Sequence, residues 1–257
     1  MGKLFDTHAH YTDERLRGNT ALLDSLFATD ISHILTVATD LSDSDACIAL
    51  ADGYENIYAS AGIHPHESGE AGELDAAMAS LEKKLCAPKV VALGEIGLDY
   101  HYDFSDRETQ MRFFRAQMEL ASRKNIPVII HDREAHGDIM DVVREYKNRV
   151  IGIIHCCSAS AEQVKEYVKM GWYISFAGVI TYKNASKTLE SVLATPKDRI
   201  LVETDCPYLA PVPKRGKTNH SGYMHYTAEK AASLLQMDYE DFCEQEVKNA
   251  KTLLGIR

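Results

Sequence analysis

The chain lacks the long apolar runs and the cysteine patterns that mark membrane and secreted proteins. None of its apolar stretches reaches the length of about 20 residues that a membrane-spanning helix requires. The first residues, Met-Gly-Lys-Leu-Phe-Asp, lead directly into an expected strand and do not have the pattern of a signal peptide. The six cysteines are scattered without a CxxC pair, so we expect reduced thiols and a cytoplasmic protein.

Positive charge is also scarce. The 28 lysines and arginines are outnumbered by 38 aspartates and glutamates, and the net charge is −10. This balance argues against a broad basic face that binds nucleic acid without regard to sequence. An anionic substrate is still compatible with it, because bound divalent cations reverse the local field. A glycine-rich phosphate loop is likewise missing after the first expected strand, where two histidines stand instead.

Short apolar runs alternate with longer amphipathic segments along the 257 residues. The runs are mostly β-branched and almost continuously apolar, as expected for parallel strands that are covered by helices. The expected strands are residues 4–6, 34–38, 57–62, 90–94, 128–130, 151–154, 172–176 and 200–202. With about eight intervening helices, this predicts one α/β domain over residues 1–257. Its fold would be a single (β/α)8 TIM barrel with the active site at the C-terminal ends of the strands, and a doubly wound open sheet is the alternative.

Two of the amphipathic segments carry clear helix signals. In residues 106–124, apolar side chains recur at helical spacing, and Pro127 follows at a point where a helix cannot continue. Ser160 and Gln163 have the spacing of a capping box before a helical pattern over residues 164–170.

Histidines and acidic residues recur where the apolar runs end. His8 and His10 follow the first run, and since side chains alternate along a strand, both are expected to point to the same side. Later runs end in the same residue types: His64 and His66, Glu95 and Asp99, His131 and Arg133, His155, and Glu203 and Asp205. The strand ends of a (β/α)8 barrel share one face, so these side chains are predicted to meet.

Such a set of imidazoles and carboxylates suits a mixed nitrogen and oxygen site for Zn, Mn, Fe or Ni. The candidate ligands are His8, His10, Glu95, His131, His155 and Asp205. They are too many for one catalytic ion that keeps open positions, whereas two ions bridged by a carboxylate such as Glu95 would use them all. Asp205 could also accept a proton from an activated water. Taken singly, His155 could be a core histidine, Glu95 a partner of Arg133, and Asp205 a turn cap.

Positive side chains near these strand ends could bind a phosphate. The long segment 206–226 contains Lys214, Arg215 and Lys217 and follows the last expected strand, so it should overhang the mouth of the barrel. Together with Arg133 these cations could attract an anion, although a solvated basic turn is the alternative. His64 and His66 could contact a substrate, or their His-Pro-His sequence could simply form a structural turn.

In these residues the chain resembles the TatD family of metal-dependent hydrolases, within the amidohydrolase-like barrels, over essentially its whole length. The matching segments are FDTHAH (5–10), GIHPH (62–66), GEIGLDY (94–100), PVIIHDR (127–133) and VETDCPYLAP (202–211). Two segments depart from the family pattern. Residues 155–159 read HCCSA where the family usually has HCFSG, and residues 215–221 lack the acid and proline that usually follow the asparagine.

The resemblance implies a ligand set. His8 and His10 would bind one ion with Asp205, Glu95 would bridge, and the second ion would be held by His131 and His155. Members of the family are divalent-metal-dependent deoxyribonucleases, some of which act as exonucleases from the 3′ end, often with Mg²⁺. Many other members have no established substrate.

The leading hypothesis is a hydrolase with two divalent ions (Zn, Mn, Mg, Fe or Ni) that cleaves phosphodiester bonds of DNA, with Asp205 as general base. The phosphate would be held by His64, Arg133, Arg215 and Asn219. The alternative is a hydrolase of a small-molecule amide, ester or lactone, which the acidic charge and the lack of an aromatic–basic stripe favour. A third hypothesis is a non-catalytic metal-binding or scaffold protein, against which the full ligand set argues. We expect neither membrane association nor an obligate protein partner.

Overall fold

A computed structural model describes residues 2–102 and 104–256. Within these residues, eight parallel strands alternate with helices and form one sheet in the order of the chain. The strands are β1 (Leu4–Ala9), β2 (Ile31–Thr36), β3 (Ile57–Ala61), β4 (Val90–Asp99), β5 (Val128–Arg133), β6 (Gly152–Ile154), β7 (Tyr173–Phe176) and β8 (Ile200–Val202). The predicted (β/α)8 barrel class is confirmed.

Nine α-helices lie in the described part of the chain, together with three short 3-10 turns. The helices are α1 (Thr20–Phe27), α2 (Leu41–Asp52), α3 (Leu74–Lys84), α4 (Arg107–Lys124), α5 (His136–Glu145), α6 (Ala161–Lys169), α7 (Ser186–Ala194), α8 (Met224–Leu234) and α9 (Tyr239–Leu254). In the same residues, no helix combines the length and the apolar character needed to cross a membrane.

The two predicted helix signals are confirmed in α4 and α6. Asp106 caps α4 by accepting the Thr109 N–H at 2.9 Å, and Asn125 ends it in the left-handed region with φ 49°. Before α6 the capping box forms in both directions. Gln163 N donates to Ser160 Oγ at 3.3 Å, and Ser160 N donates to Gln163 Oε1 at 3.1 Å.

Three strands run further than the apolar pattern predicted. β1 continues to Ala9, β4 to Asp99 and β5 to Arg133, so His8, Glu95 and His131 lie inside strands rather than after them. Between β4 and β5, Gly97 has φ 139°, and a Cβ there would overlap the carbonyl oxygen of His131. Only glycine permits this close approach, which keeps Glu95 and His131 on adjacent backbones.

Contacts divide the chain into two compact units. The terminal unit comprises the described parts of Met1–Thr36, Cys156–Lys169 and Tyr173–Arg257, and the central unit comprises Val37–His155 and Met170–Trp172. The single domain over residues 1–257 stays a prediction.

In the terminal unit, α9 covers β1 and β8. Phe5, Phe176 and Phe242 are fully buried there. The buried carboxylate of Glu246 on α9 accepts the Phe5 N–H at 3.0 Å, and Asn249 Nδ2 donates to the Ile200 carbonyl at 2.8 Å. These side chains supply partners for backbone groups that the strands leave unpaired.

In the central unit, two buried glutamines of α4 hold the backbone at the ends of β3 and β4. Gln117 accepts the Ile63 N–H at 2.8 Å and donates to the Ile63 carbonyl at 3.0 Å. Gln110 accepts the Asp99 N–H at 2.9 Å and donates to the carbonyls of Asp99 and Ser105 at 3.0 and 2.8 Å. α4 therefore fixes the path of the chain at the end of β4.

We expect Gln110→Ala to lower the free energy of unfolding by about 2–4 kcal/mol, because it leaves three buried backbone groups without a partner. Gln163→Ala, which removes an exposed capping side chain, is the matched control and should cost only about 0.5–1 kcal/mol. Urea unfolding of both proteins measures the difference. Equal losses in the two variants would contradict the role assigned to Gln110.

Candidate functional site

The terminal unit brings together three of the predicted ligands, His8 in β1, His10 just after it, and Asp205 after β8. The Nε2 atoms of the two histidines are 3.2 Å apart, which confirms that both rings point to the same side. Asp205 Oδ1 lies 3.4 Å from His10 Nε2 and 3.9 Å from His8 Nε2. Both histidines are buried. We call these three residues the terminal ligand cluster.

The spacing within the terminal ligand cluster suits a metal ion. Around an ion with bonds of about 2.0–2.1 Å, tetrahedral ligands lie roughly 3.3–3.4 Å apart. The three donor atoms are 3.2, 3.4 and 3.9 Å apart, which is close to this range. Two imidazoles and one carboxylate are also donors that Zn, Mn, Fe and Ni accept. The residues present therefore fit a divalent cation.

A fully buried carboxylate, Asp6, holds the backbone around this cluster. Its Oδ1 accepts the N–H groups of Thr204 and His8 at 3.0 and 3.3 Å, and its Oδ2 accepts the hydroxyls of Thr204 and Ser221 at 2.6 and 2.7 Å. Burial raises the pKa of Asp6 to about 6, although the hydrogen bonds oppose the rise. Next to Thr204, Asp205 adopts a left-handed backbone with φ 54° and donates its N–H to the His8 carbonyl at 2.9 Å. Asp6 therefore ties β1 to the segment that carries Asp205.

In the central unit, three imidazoles surround the buried carboxylate of Glu95. Glu95 Oε1 lies 2.8 Å from His131 Nδ1, 3.6 Å from His64 Nε2 and 3.7 Å from His155 Nε2. The ring nitrogens come from β5, from the segment after β3 and from the residue after β6. We call these four residues the central ligand cluster. The donor atoms of His64, Glu95 and His131 lie within 4.8 Å of one another, so these three residues could hold a divalent cation.

A second buried carboxylate, Asp99, contacts the other nitrogen of His131. Asp99 Oδ2 lies 3.1 Å from His131 Nε2 and 2.7 Å from His66 Nε2. Burial lowers the pKa of His131, but the hydrogen bonds with Asp99 and Glu95 outweigh it and raise the pKa to about 9. Burial opposes ionisation of Asp99 too, and the contacts with His131, Tyr102 and His66 nevertheless hold its pKa well below the usual range.

The sequence predicts only that Asp99 lies among the strand-end residues, and it leaves His66 open between a substrate contact and a structural turn, although it carries a further signal for Asp99. In a strand with a period of two, Asp99 falls on the same face as Glu95, four residues earlier. Both carboxylates contact His131 in the structure. Asp99 holds the ring through Nε2, as carboxylates commonly do on the nitrogen of a histidine ligand that does not bind the metal, which leaves Nδ1 on the side of Glu95.

His64 is arranged as a hydrogen-bond donor. Its Nδ1 accepts the N–H of His66 at 3.2 Å, so in the neutral ring the proton sits on Nε2. Burial lowers its pKa to about 4 against the opposing charge of Glu95, which leaves the ring neutral at pH 7. A neutral Nε2–H can donate to a substrate oxygen, and it would have to give up this proton if His64 bound an ion through Nε2 instead. The substrate role of His64 stays a prediction.

Arg133 and Arg215, two other predicted substrate residues, each lie over an aromatic ring. Arg133 is exposed, and its guanidinium carbon is 4.4 Å from the ring centre of Tyr102. Arg215 lies in the same way over Tyr182, at 4.5 Å. Both guanidinium groups are positioned by an aromatic ring, which leaves their N–H donors suited to an anion. Their contact with a substrate stays a prediction.

Asn219 is fully buried and holds the segment that follows β8. Its Nδ2 donates to the carbonyls of Thr204 and Tyr208 at 2.9 and 2.7 Å, and its Oδ1 accepts the N–H of His220 at 3.0 Å. These hydrogen bonds hold the backbone on both sides of the segment that follows Asp205, which is a structural role. Its predicted contact with substrate is untested and stays a prediction.

The structure also shows a local cluster that the sequence analysis did not identify. The central unit brings Tyr102, Phe104 and Arg133 together. Tyr102 and Phe104 are among the most exposed large apolar side chains of the described residues. They follow β4, whereas Arg133 ends β5, so linear patterning does not reveal the cluster.

Comparisons with known proteins identify the family of the chain. A family model described as "TatD related DNase" matches residues 5–255. An uncharacterized metal-dependent hydrolase, YabD of Bacillus subtilis (strain 168), is 40% identical over 255 residues, which are 98% of this chain and 99% of that protein. The "3'-5' ssDNA/RNA exonuclease TatD" of Enterobacter lignolyticus is 30% identical over 261 residues, with 98% and 99% covered. The crystal structure of YJJV, a TatD homologue from Escherichia coli K12, superposes with a TM-score of 0.91 at 28% identity and covers 99% of this chain and 98% of that one.

Proposed function

The chain belongs to the TatD-related DNase family of metal-dependent hydrolases, and from this premise we propose that it cleaves phosphodiester bonds of DNA. The observation that carries the proposal is the pair of imidazole–carboxylate clusters, each of which fits a divalent cation. A relative of 30% identity that is named an exonuclease on single-stranded DNA and RNA supports the choice of substrate. Attack from the 3′ end, a cytoplasmic location and the absence of an obligate protein partner belong to the same proposal.

Two divalent ions are proposed, chosen from Zn, Mn, Mg, Fe and Ni. One would be held by His8, His10 and Asp205, the other by His131 and His155, and Glu95 would bridge them. When bound, such ions supply Lewis-acid charge to a phosphoryl group and make a coordinated water more acidic.

The chain's own residues supply the remaining chemistry. The carboxylate of Asp205, next to His10, would accept the proton of the attacking water. The guanidinium groups of Arg133 and Arg215 would bind non-bridging phosphate oxygens, for which their planar N–H forks are suited. His64 would donate its Nε2–H to the same phosphate. Asp99 would keep the His131 ring in place through its bond to Nε2.

Hydrolysis of a small-molecule amide, ester or lactone is the second candidate. The net charge of −10 favours it, because long polyanions are repelled by an acidic protein. The same metal chemistry would act on a carbonyl group.

An end-labelled single-stranded DNA tests the proposal. We expect protein loaded with Mg²⁺, Mn²⁺ or Zn²⁺ to release nucleotides from the 3′ end. EDTA should abolish the activity, and adding the metal back should restore it. A 5′ label and a 3′ label on the same oligonucleotide distinguish the polarity. Absence of cleavage with all three metals, together with turnover of a lactone or ester panel, would favour the second candidate instead.

A further inference from the structure

Two aromatic rings stand exposed on the segment that follows β4. Tyr102 and Phe104 expose 47% and 70% of their surface. Their rings are stacked, with centroids 5.4 Å apart and an angle of 2° between the planes. A parallel pair of large rings that remains in contact with water is typical of a binding surface. We call Tyr102 and Phe104 the aromatic platform.

The backbone under the aromatic platform is held on both sides. Tyr102 N donates to Asp99 Oδ1 at 3.0 Å. Ser105, just after Phe104, donates through its hydroxyl to the His66 carbonyl at 2.8 Å, and its own carbonyl accepts from Gln110 at 2.8 Å. The platform therefore does not need to be ordered when a ligand arrives, which lowers the entropic cost of binding.

The platform adjoins the central ligand cluster through His66. The His66 ring meets Phe104 edge to face at 4.8 Å and Tyr102 at 5.6 Å. Its Nε2 lies 2.7 Å from Asp99, which in turn contacts His131 at 3.1 Å. A group that lies on the platform is thus separated from a candidate metal ligand by only two side chains.

A positive charge completes this surface. The guanidinium group of Arg133 lies over the Tyr102 ring at 4.4 Å. It is exposed, and within residues 2–102 and 104–256 no carboxylate pairs with it. The guanidinium and the aromatic platform match the two parts of a nucleotide, since the phosphate binds the guanidinium and the base stacks on the more exposed ring, Phe104.

We propose that Tyr102 and Phe104 stack a nucleobase of a single strand beside the phosphodiester that Arg133 binds, which rests on the proposed function. A base in a duplex is already stacked on its neighbours and presents no free face. The platform therefore selects single-stranded ends. It would also bind a nucleotide substrate more tightly than a simple phosphodiester that has no base.

Fluorescence of 2-aminopurine tests the stacking without any turnover. The probe is a short single-stranded DNA with 2-aminopurine at its 3′ end, titrated with metal-loaded protein in which Asp205→Asn prevents cleavage. We expect quenching on binding, and Phe104→Ala or Tyr102→Ala added to this protein should weaken the affinity by about 5- to 100-fold. Phe104→Tyr, which keeps a ring, should restore the affinity.

Leu193→Ala, which shortens an exposed side chain on α7, is the matched control. Binding without quenching, or equal affinity in the alanine variants, would overturn the proposal.

A pair of chromogenic esters tests the same role during hydrolysis. Thymidine 5′-(p-nitrophenyl phosphate) and methyl p-nitrophenyl phosphate share the leaving group, and only the first carries a deoxyribose and a base. We expect Phe104→Ala to lower the ratio of their kcat/KM values by about 5- to 100-fold, and Leu193→Ala to leave the ratio as in the wild type. An unchanged ratio in Phe104→Ala would refute stacking. If the wild type hydrolyses neither ester and does not shorten the end-labelled DNA, the proposed function fails, and the quenching experiment still decides whether the platform binds a base.

Discussion

The Asp205→Asn protein is expected to fold normally and to lose at least about 1,000-fold in kcat on any phosphodiester that the wild type hydrolyses. An amide cannot take up the proton that the carboxylate accepts, and it is also a weaker ligand for a divalent ion. The fold should survive for a local reason. Asp205 has φ 54°, and asparagine tolerates this left-handed conformation well. The bond from its N–H to the His8 carbonyl belongs to the backbone and is kept.

The measurement is kcat of both proteins at saturating metal, with the metal content of each determined by elemental analysis. Asp52→Asn is the matched control, because it makes the same chemical change at an exposed position at the end of α2. Asp52→Asn should match the wild type in activity and metal content. If excess metal restored full activity to Asp205→Asn, Asp205 would be a ligand and not the general base.

The fold was predictable because its signal is repetitive. Each short β-branched run is followed by an amphipathic segment, and this alternation alone predicts a (β/α)8 barrel. The ends of the strands were less predictable, because a histidine or a glutamate interrupts the apolar pattern without ending the strand. His131 continues β5 because it pairs with Gly97 of β4. His8 and Glu95 lie at register shifts, between Asp6 and Ala9 and between Leu93 and Ile96, and their strands resume pairing beyond them.

The ligand clusters could be predicted only in part. His8 and His10 were paired correctly by the strand period alone. The contact of Asp99 with His66 depends instead on the path of the chain beyond β3 and β4, which Gln110 and Gln117 of α4 fix through long-range hydrogen bonds. The aromatic platform follows from the same path. Such contacts join residues with no common period, so no linear pattern reveals them.

The second large effect is expected on stability, from Asp6→Ala in the terminal unit. The free energy of unfolding should fall by about 3–5 kcal/mol. Asp6 accepts four hydrogen bonds in the buried interior, from the N–H groups of His8 and Thr204 and the hydroxyls of Thr204 and Ser221. Alanine leaves these donors without an acceptor. It also disturbs the neighbouring contact between Ser221 Oγ and the Tyr11 hydroxyl, which are 2.7 Å apart.

Asp6→Asn separates hydrogen bonding from charge. The amide oxygen can still accept the two N–H groups at the Oδ1 position, and the two hydroxyls can rotate to accept from the new NH₂ group. Removing the charge itself should cost little, because burial already raises the pKa of Asp6 to about 6 and so disfavours the ionised form. Asp6→Asn is therefore expected to be clearly less destabilising than Asp6→Ala.

Urea unfolding of the metal-free proteins measures this order, since a bound ion would add its own binding free energy to that of the folded state. Asp241→Ala, at an exposed position in the first turn of α9, is the matched control and should change stability by less than about 0.5 kcal/mol. If Asp6→Asn were as destabilising as Asp6→Ala, the charge of Asp6 would matter more than its acceptors. If neither differed from the control, the backbone around Asp205 would be held without Asp6, most directly by the Asn219 amide that donates to the Thr204 carbonyl at 2.9 Å.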